Sequence, residues 1–320
     1  MFKFWQFSLK RTKVSLHDLH IIKFVLTIRR YKLLLQDSII LQVISNIEQT
    51  LSFCKRWRDE GQSIAFVPTM GCLHKGHLSL IEKAQSLAEH VVVSIFVNPL
   101  QFDNAEDLLK YPSTLDDDLR KLKEFNVDLV FVPETASFYP EGENNVEQIE
   151  LGGITSLLEG AKRPGHFAGV ATVVKRLFDL IQPNCAIFGE KDFQQLMVIK
   201  QLVEKFSLDI DIIGMPIFRE YDGLAMSSRN TRLSENERKK APEIYQQLEY
   251  VKSAINAGAS DYAELEHTAY ENLASAGFVP EYVAIRATDT LLPPQNHNES
   301  KVILIAAKLG KIRLIDNILV

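Results

Sequence analysis

Two histidines three residues apart, a lysine and a serine–serine–arginine run are the side chains here best suited to handling a chain of phosphates. His74 and His77 fall in PTMGCLHKGH, residues 68–77, where Gly71 and Gly76 let the backbone approach a ligand closely. Imidazoles placed there, neutral or cationic, can donate hydrogen bonds to phosphate oxygens as charge develops in a transition state. Lys191 falls in FGEKDFQQ, residues 188–195. Its ammonium can neutralise a phosphate, Asp192 can accept from ribose hydroxyls, and Gln194 and Gln195 are amides suited to a small polar substrate. Ser227, Ser228 and Arg229 fall in GLAMSSRN, residues 223–230, which sets hydroxyl donors beside a bidentate guanidinium on a glycine-containing loop. Each cluster also has a plainer reading. The histidines can be a metal pair, although no third ligand is near, or a helix cap. Asp192 can cap a surface helix, and Ser227–Arg229 can be a polar loop. The combination is more specific than its parts: it suits transfer of a nucleotidyl group from a triphosphate.

The elements that must carry these residues follow from hydrophobic periodicity. From residue 39 onward, apolar runs alternate with amphipathic stretches. SIAFVPT, VVVSIFVNP, DLVFVP, CAIFGE and LDIDIIGMPI read as strands. GHLSLIEKAQSLAEH, TLDDDLRKLKEFN, HFAGVATVVKRLFDLIQ and DFQQLMVIKQLVEKF read as helices between them. Strands this continuously apolar imply a parallel sheet covered on both faces, a Rossmann-like α/β domain over residues 39–215. The alternation ends in a polar loop between Met215 and Asn230. Beyond it, one charged helix over SENERKKAPEIYQQLEYVKSAINAG, a second helix and the runs EYVAIR, KVILIAA and IRLID predict a smaller α+β C-terminal domain, residues 216–320. The three clusters fall at strand ends, where open α/β sheets bind ligands.

Composition narrows the class. The 320 residues are 46% apolar and 24% charged, with 15 Gly and 12 Pro, which excludes disordered, collagen-like and coiled-coil chains. Three cysteines, Cys54, Cys72 and Cys185, are too few for a disulfide framework and point to a reducing, intracellular setting. The net charge of −5 is uneven: residues 1–38 carry eight basic and two acidic side chains, or +6, which leaves −11 for residues 39–320. An acidic body argues against a broad nucleic-acid surface. The basic segment has no apolar run long enough to span a membrane, because Ile21–Ile28 contains Lys23 and is followed by Arg29 and Arg30. It also lacks a small-residue cleavage site. A mobile tail, or leader upstream of the true start, is the expectation for it.

The motifs PTMGCLHKGHLSLI, SIFVNPLQF, KYPSTLDDDL, LEGAKRPGHFAGVATVV, FGEKDFQQL, DGLAMSSRN and AAKLGKIRLIDN run in order through essentially residues 39–320. Together they resemble the pantoate–β-alanine ligase (pantothenate synthetase) family, in the nucleotidylyltransferase superfamily with its H-x-G-H motif. That resemblance implies a two-step reaction. ATP, with Mg²⁺, and (R)-pantoate give pantoyl adenylate and pyrophosphate; β-alanine then attacks the acyl carbon to give pantothenate and AMP. It implies a cytoplasmic homodimer with no nucleic-acid or membrane partner, and a lid-like C-terminal domain.

The resemblance also implies residue roles. Met70, Gly71, Cys72, Leu73, His74, Lys75, Gly76 and His77 correspond to an ATP-binding segment, with His77 as proton donor. Gly189, Glu190, Lys191 and Asp192 correspond to a second, and Met226, Ser227, Ser228 and Arg229 to a third. Gln101 and Gln195 correspond to the pair that holds pantoate, Gln101 also lying near β-alanine, and the Phe218 backbone borders the adenine. Arg163 and His166 shape the pocket. Asp116, Asp117 and Asp118 either help hold Mg²⁺ or are an acidic helix start, and no resident metal site is expected. Cys72 stands where another small or polar residue is expected, and the basic extension precedes the usual family start near residue 39. An adenylyltransferase that stops at AMP transfer would share the histidine motif without needing Gln101 and Gln195. A nucleotide-binding module without catalysis would not need the full set.

Overall fold

In the computed structural model the described residues are 41–102, 108–109, 111–112 and 114–320, so the expectations for residues 1–38 lie outside them. The apolar runs form a six-stranded, all-parallel sheet. Its strands are β1 (Gln42–Ile44), β2 (Ile64–Thr69), β3 (His90–Ile95), β4 (Leu129–Phe131), β5 (Cys185–Gly189) and β6 (Asp211–Met215), in the order β1-β4-β3-β2-β5-β6. Successive side chains along β2 alternate between two cores. Ile64 and Phe66 pack with Phe178 and Ile199, whereas Ala65 and Val67 pack with Ile81 and Leu122. Helices α1 (Ile47–Asp59), α5 (His166–Ile181) and α6 (Phe193–Lys205) supply the first layer. Helices α2 (Lys75–Gln85) and α3 (Leu115–Glu124) supply the second, and α4 (Leu158–Lys162) precedes α5. Both faces are thus covered, as a parallel sheet requires. Strand β1 has no counterpart among the expected strands: its three residues are too few for a periodic signal.

The strand order places a topological switch between β2 and β5. Helix α2 leaves the end of β2 on one face and α6 leaves the end of β5 on the other. A crevice opens between them at the carboxyl ends of the two strands. Both motifs that precede these helices therefore face the same space.

The remaining residues form a separate layer. Helices α7 (Glu235–Lys240), α8 (Glu243–Asn256) and α9 (Tyr262–Ser275) pack with the antiparallel strands β7 (Val279–Ala287), β8 (Lys301–Leu309) and β9 (Ile312–Leu319). Their own core is built on Leu248, Val251, Ile285, Ile303 and Ile305. The single charged helix expected over this region is two. Pro242 lacks an N–H and its ring crowds the preceding turn, so the helix breaks between α7 and α8. Ser234 and Glu237 close the start of α7 with a reciprocal capping box. The fold is therefore the expected α/β sheet with a small antiparallel sheet beside it.

Helix α5 is buried along nearly its whole length and presses against the turn Pro99–Gln101. At Gly169 the two backbones all but touch: a Cβ there would lie 2.1 Å from the Leu100 carbonyl oxygen. Backbone cannot yield as a side-chain tip can, so only glycine fits. Gly169→Ala should destabilise the protein by about 2–3 kcal/mol. Urea unfolding checks this: the midpoint falls while the slope stays unchanged, and an unaltered midpoint would contradict the packing.

Candidate active site

A cavity of about 250 Å³ occupies the crevice. Met70, His74, Gly76 and His77 enter it from the β2–α2 connection, and Gly189, Lys191, Asp192 and Gln195 from the start of α6. Gln101, Arg163 and His166 border it beside α5, and Phe218 and Met226 through Arg229 close it from the loop after β6. The three sequence clusters thus meet in one space. Five residues of the implied ATP segments do not reach its wall. Leu73 is core, Lys75 is exposed, Gly71 is buried, Cys72 turns its Sγ to the Pro112 carbonyl, and Glu190 lies against Gly214.

The loop that aims the histidines is held from below. Gly71 and Cys72 both adopt left-handed φ values, +82° and +52°, which cost a non-glycine residue about 1–2 kcal/mol. Asp118, buried in the first turn of α3, accepts the backbone N–H of Cys72 at 2.8 Å and of Leu73 at 2.7 Å. The Thr114 hydroxyl donates to the same carboxylate, and the Lys121 ammonium donates to the Leu73 carbonyl at 2.8 Å. The acidic start of α3 is therefore a brace for the loop.

That brace also bears on Mg²⁺. Both Asp118 oxygens are engaged, and Asp117 pairs with Arg120 and Lys121. Among the described residues no group of three or more His, Cys, Asp or Glu side chains could hold a metal. The residues present do not form a protein cage for the ion.

The two imidazoles lie with ring centroids 4.1 Å apart. The His74 backbone N–H donates to His77 Nδ1 at 3.3 Å, so the neutral His77 ring carries its proton on Nε2. Burial pushes the His77 pKa down to about 3, reinforced by repulsion from His74 and Lys191. Burial, with Lys191 and Lys121, pushes His74 down to about 4. His74 Nδ1 is buried with no hydrogen-bond partner among the described residues. A Cβ at position 76 would come within 3.0 Å of the His74 ring, so Gly76 leaves that ring its place.

Gln101 is oriented by residues whose roles are not evident in the sequence. Its amide donates to Met70 Sδ, and its Oε1 accepts from Asn98. Asn98 is buried at the end of β3, bonds the Gly169 carbonyl, and accepts from the Tyr139 hydroxyl at 2.9 Å. The Gln101 carbonyl accepts from His166 Nδ1 at 2.7 Å, while Arg163 donates to His166 Nε2 at 3.1 Å. Those partners place the proton on Nδ1 and require a lone pair on Nε2. Burial and then the Arg163 charge push the His166 pKa down to about 4.

Lys191 and the Ser227–Arg229 loop are tied to one dipeptide of β9. Asn317 donates to the carbonyls of Glu190 at 2.8 Å and Lys191 at 3.0 Å. Asp316 receives Arg219 in a bidentate pair at 2.6 and 3.0 Å. Burial raises the Asp316 carboxyl above its usual range, against the pull of Arg219. Arg219 adjoins Phe218, whose carbonyl accepts the Met226 N–H at 2.9 Å, so the loop is held through its own base. Within the loop, Ser227 Oγ accepts the Arg229 N–H, and Tyr111 hydrogen-bonds Ser228. A second tie crosses between α4 and the antiparallel sheet. Arg313 clasps Glu159 with both terminal nitrogens, and the Tyr282 hydroxyl donates to Glu159 at 2.6 Å. Burial alone would raise the Glu159 pKa; Arg313 and Tyr282 outweigh it and hold it low.

A doubly wound parallel sheet with imidazoles, a lysine and a Ser-Ser-Arg loop over its switch point defines an α/β enzyme site built for a nucleotide's phosphates. A family model described as pantoate-beta-alanine ligase matches residues 42–319, and the chain belongs to that family. A pantothenate synthetase of Vibrio cholerae serotype O1 is 50% identical over 277 residues, covering 87% of this chain and 94% of that one. One from Aliivibrio fischeri is 49% identical over 280 residues, covering 88% and 96%. The crystal structure of pantothenate synthetase from Thermus thermophilus superposes with a TM-score of 0.81 at 43% identity, covering 87% of this chain and 99% of that one. A pantoate-beta-alanine ligase from Francisella tularensis, crystallised with β,γ-ATP and β-alanine, gives 0.73 at 39% identity, covering 88% and 98%.

Sequence reasoning missed Asn98, Tyr111, Tyr139, Arg219, Asp316 and Asn317. Asn98 is hidden in an Asn-Pro strand stop and the β9 pair in a strand end. The depressed histidines generate a pH dependence. Below the unfolded-state pKa of about 6.5, the unfolded chain takes up protons that the folded rings refuse. Stability should therefore be full above pH 6.5 and fall as the pH drops toward 4. Thermal melts between about pH 7.5 and 5 check it. His166→Asn should melt lower at pH 7 but with a shallower acid decline, and parallel declines would refute the assignment.

Proposed function

We propose that this chain is an ATP-dependent ligase that condenses (R)-pantoate with β-alanine through a pantoyl-adenylate intermediate. The observation that carries the reading is the meeting of His74, His77, Lys191 and Ser227–Arg229 with Gln101 and Gln195 around one cavity. Family membership supports the substrates. A carboxylate is a poor acyl donor, and attack of its oxygen on the α-phosphorus of ATP, with departure of pyrophosphate, converts it to a mixed anhydride whose leaving group is AMP. The β-alanine nitrogen then attacks the acyl carbon and the carbon–oxygen bond to AMP breaks.

In this reading Gln101 and Gln195 hold pantoate, with Gln101 also near β-alanine. Lys191, Ser227, Ser228 and Arg229 neutralise and orient the phosphates. His77 presents Nε2–H to a phosphate oxygen as a neutral hydrogen-bond donor. Its depressed pKa supports that role over the proton-donor role implied by the family resemblance. Met70, His74, Gly76, His77, Gly189, Lys191, Asp192, Phe218 and the run 226–229 line the ATP site, with the rest of the two segments supporting them from behind. Mg²⁺ would accompany ATP, held by phosphate oxygens and water, because Asp117 and Asp118 are engaged elsewhere. Residues 39–215 act as the ATP- and pantoate-binding domain and residues 216–320 as its lid. A cytoplasmic homodimer rests on the family resemblance. Among the described residues no helix is long and apolar enough to cross a membrane.

AMP and pantothenate should form only when ATP, pantoate and β-alanine are all present; AMP release indifferent to β-alanine would overturn the ligase reading. Lys191→Ala should lower adenylate formation by roughly 10²–10³-fold, the loss typical of one transition-state donor. Asn317→Asp keeps the shape but turns an acceptor toward two carbonyls, and should cost about tenfold in kcat. In a Lys191→Ala background it should cost little more, because both changes act through one side chain. Additive losses in the double variant would show that Asn317 acts elsewhere.

A further inference from the structure

Beside the substrate cavity lies a second cleft of about 450 Å³. The two share Arg163, Lys191, Asp192, Ser227 and Arg229, but the second contains neither histidine and neither Gln101 nor Gln195. It therefore adjoins the substrate cavity across those five shared residues. Eight cationic side chains line it against four acidic ones. Two of those acids, Glu159 and Glu281, are occupied with Arg313, and Asp316 is occupied with Arg219. Lys162, Lys191 and Lys311 form no ion pair with a described residue. Cations converge here although residues 41–320 together carry −11. Like charges gathered around a cleft repel one another, and an anion placed among them relieves that repulsion.

The kind of anion follows from what the cleft lacks. Among the described residues no aromatic side chain lines it, so a nucleobase has no stacking surface. Its other walls are aliphatic residues such as Ala225 and Ile312, with the polar Ser227 and Asn230. An inorganic polyanion fits this chemistry and a second nucleotide does not.

We propose that this cleft receives inorganic pyrophosphate, the leaving group of adenylation, and that Lys162 and Lys311 draw it away from the substrate cavity. The inference rests on the ligase reading. When the pantoate oxygen bonds to the α-phosphorus, the bond from that phosphorus to the bridging oxygen of the β-phosphate breaks, and its electron pair leaves with pyrophosphate. Displacement at phosphorus runs roughly in line, so a nucleophile held at Gln101 and Gln195 expels its leaving group on the opposite side. The cationic cleft shares Lys191, Ser227 and Arg229 with the cavity but neither glutamine, and is the neighbouring space whose charge suits that leaving group. Its outer lysines are exposed, so substituting them leaves the core intact.

The test uses Lys162→Glu/Lys311→Glu, with Lys123→Glu/Lys200→Glu as a control of equal net charge outside both clefts. Calorimetry with inorganic pyrophosphate on the resting enzyme, and pyrophosphate inhibition of the forward reaction, are the readouts. The cleft variant should bind pyrophosphate at least tenfold more weakly than wild type and need at least tenfold more for half-inhibition. Its KM for ATP and for β-alanine should change less than twofold, and the control should match wild type throughout. Equal pyrophosphate binding in the cleft variant and the control would overturn the proposal, as would a rise in ATP KM parallel to the loss of pyrophosphate affinity. Binding to the resting enzyme does not depend on turnover. A wild type that forms no AMP from ATP, pantoate and β-alanine would therefore sink the ligase reading without deciding the cleft.

Discussion

Asp316 and Asn317, adjacent in β9, hold the cation-bearing parts of the site to one another. Asn317 fixes the turn that carries Lys191, and Asp316 fixes Arg219 at the base of the loop that carries Ser227–Arg229. A pleated strand sends neighbouring side chains to opposite faces, which suits it to gripping two segments at once. Breaking a buried pair such as Asp316–Arg219 typically costs about 3–5 kcal/mol, but replacing both partners with apolar residues is often neutral. The value of the pair is therefore positional. Arg313, Glu159 and Tyr282 make a second tie, between α4 and the same sheet.

Within that frame the electrostatics are local. Lysines close to His74 and His77, together with burial, keep both rings neutral and so able to donate without carrying charge. For His77 the backbone contact to Nδ1 also fixes the tautomer. His166 is likewise kept neutral by burial and then by the Arg163 charge, and the Gln101 carbonyl on Nδ1 and the guanidinium on Nε2 fix its tautomer. His77 and His166 are thus held in opposite tautomers on two sides of one cavity. An acidic body thus keeps a local concentration of positive charge, with Arg163, Lys191 and Arg229 around one cavity.

Much of this was legible in the sequence. The long strands and helices announced themselves by period, and the glycine, histidine and serine–arginine clusters by their place at strand ends. Short or long-range features were not. Strand β1 is three residues long, and the break at Pro242 was concealed by helical residues on both sides. Asp118 reads as an ordinary helix-start acid, since nothing local shows that it reaches back to residues 72 and 73. Asn98 reads as a strand stop, and Asp316 and Asn317 as a strand end. Their work is done on partners far away in sequence, and a pattern of period two or 3.6 carries no information about such partners.

The separation of Asn317 from Lys191 has a consequence for the order in which the protein is made. The two lie 126 residues apart, and the whole parallel sheet is synthesised before β9 leaves the ribosome. A growing chain can therefore close its first core, with the histidine loop already braced by Asp118, while the Lys191 turn is still untethered. The Lys191 end of the cavity becomes complete only when the second sheet has folded. Long-range contacts of this kind are made late because the loop-closure entropy must be met first.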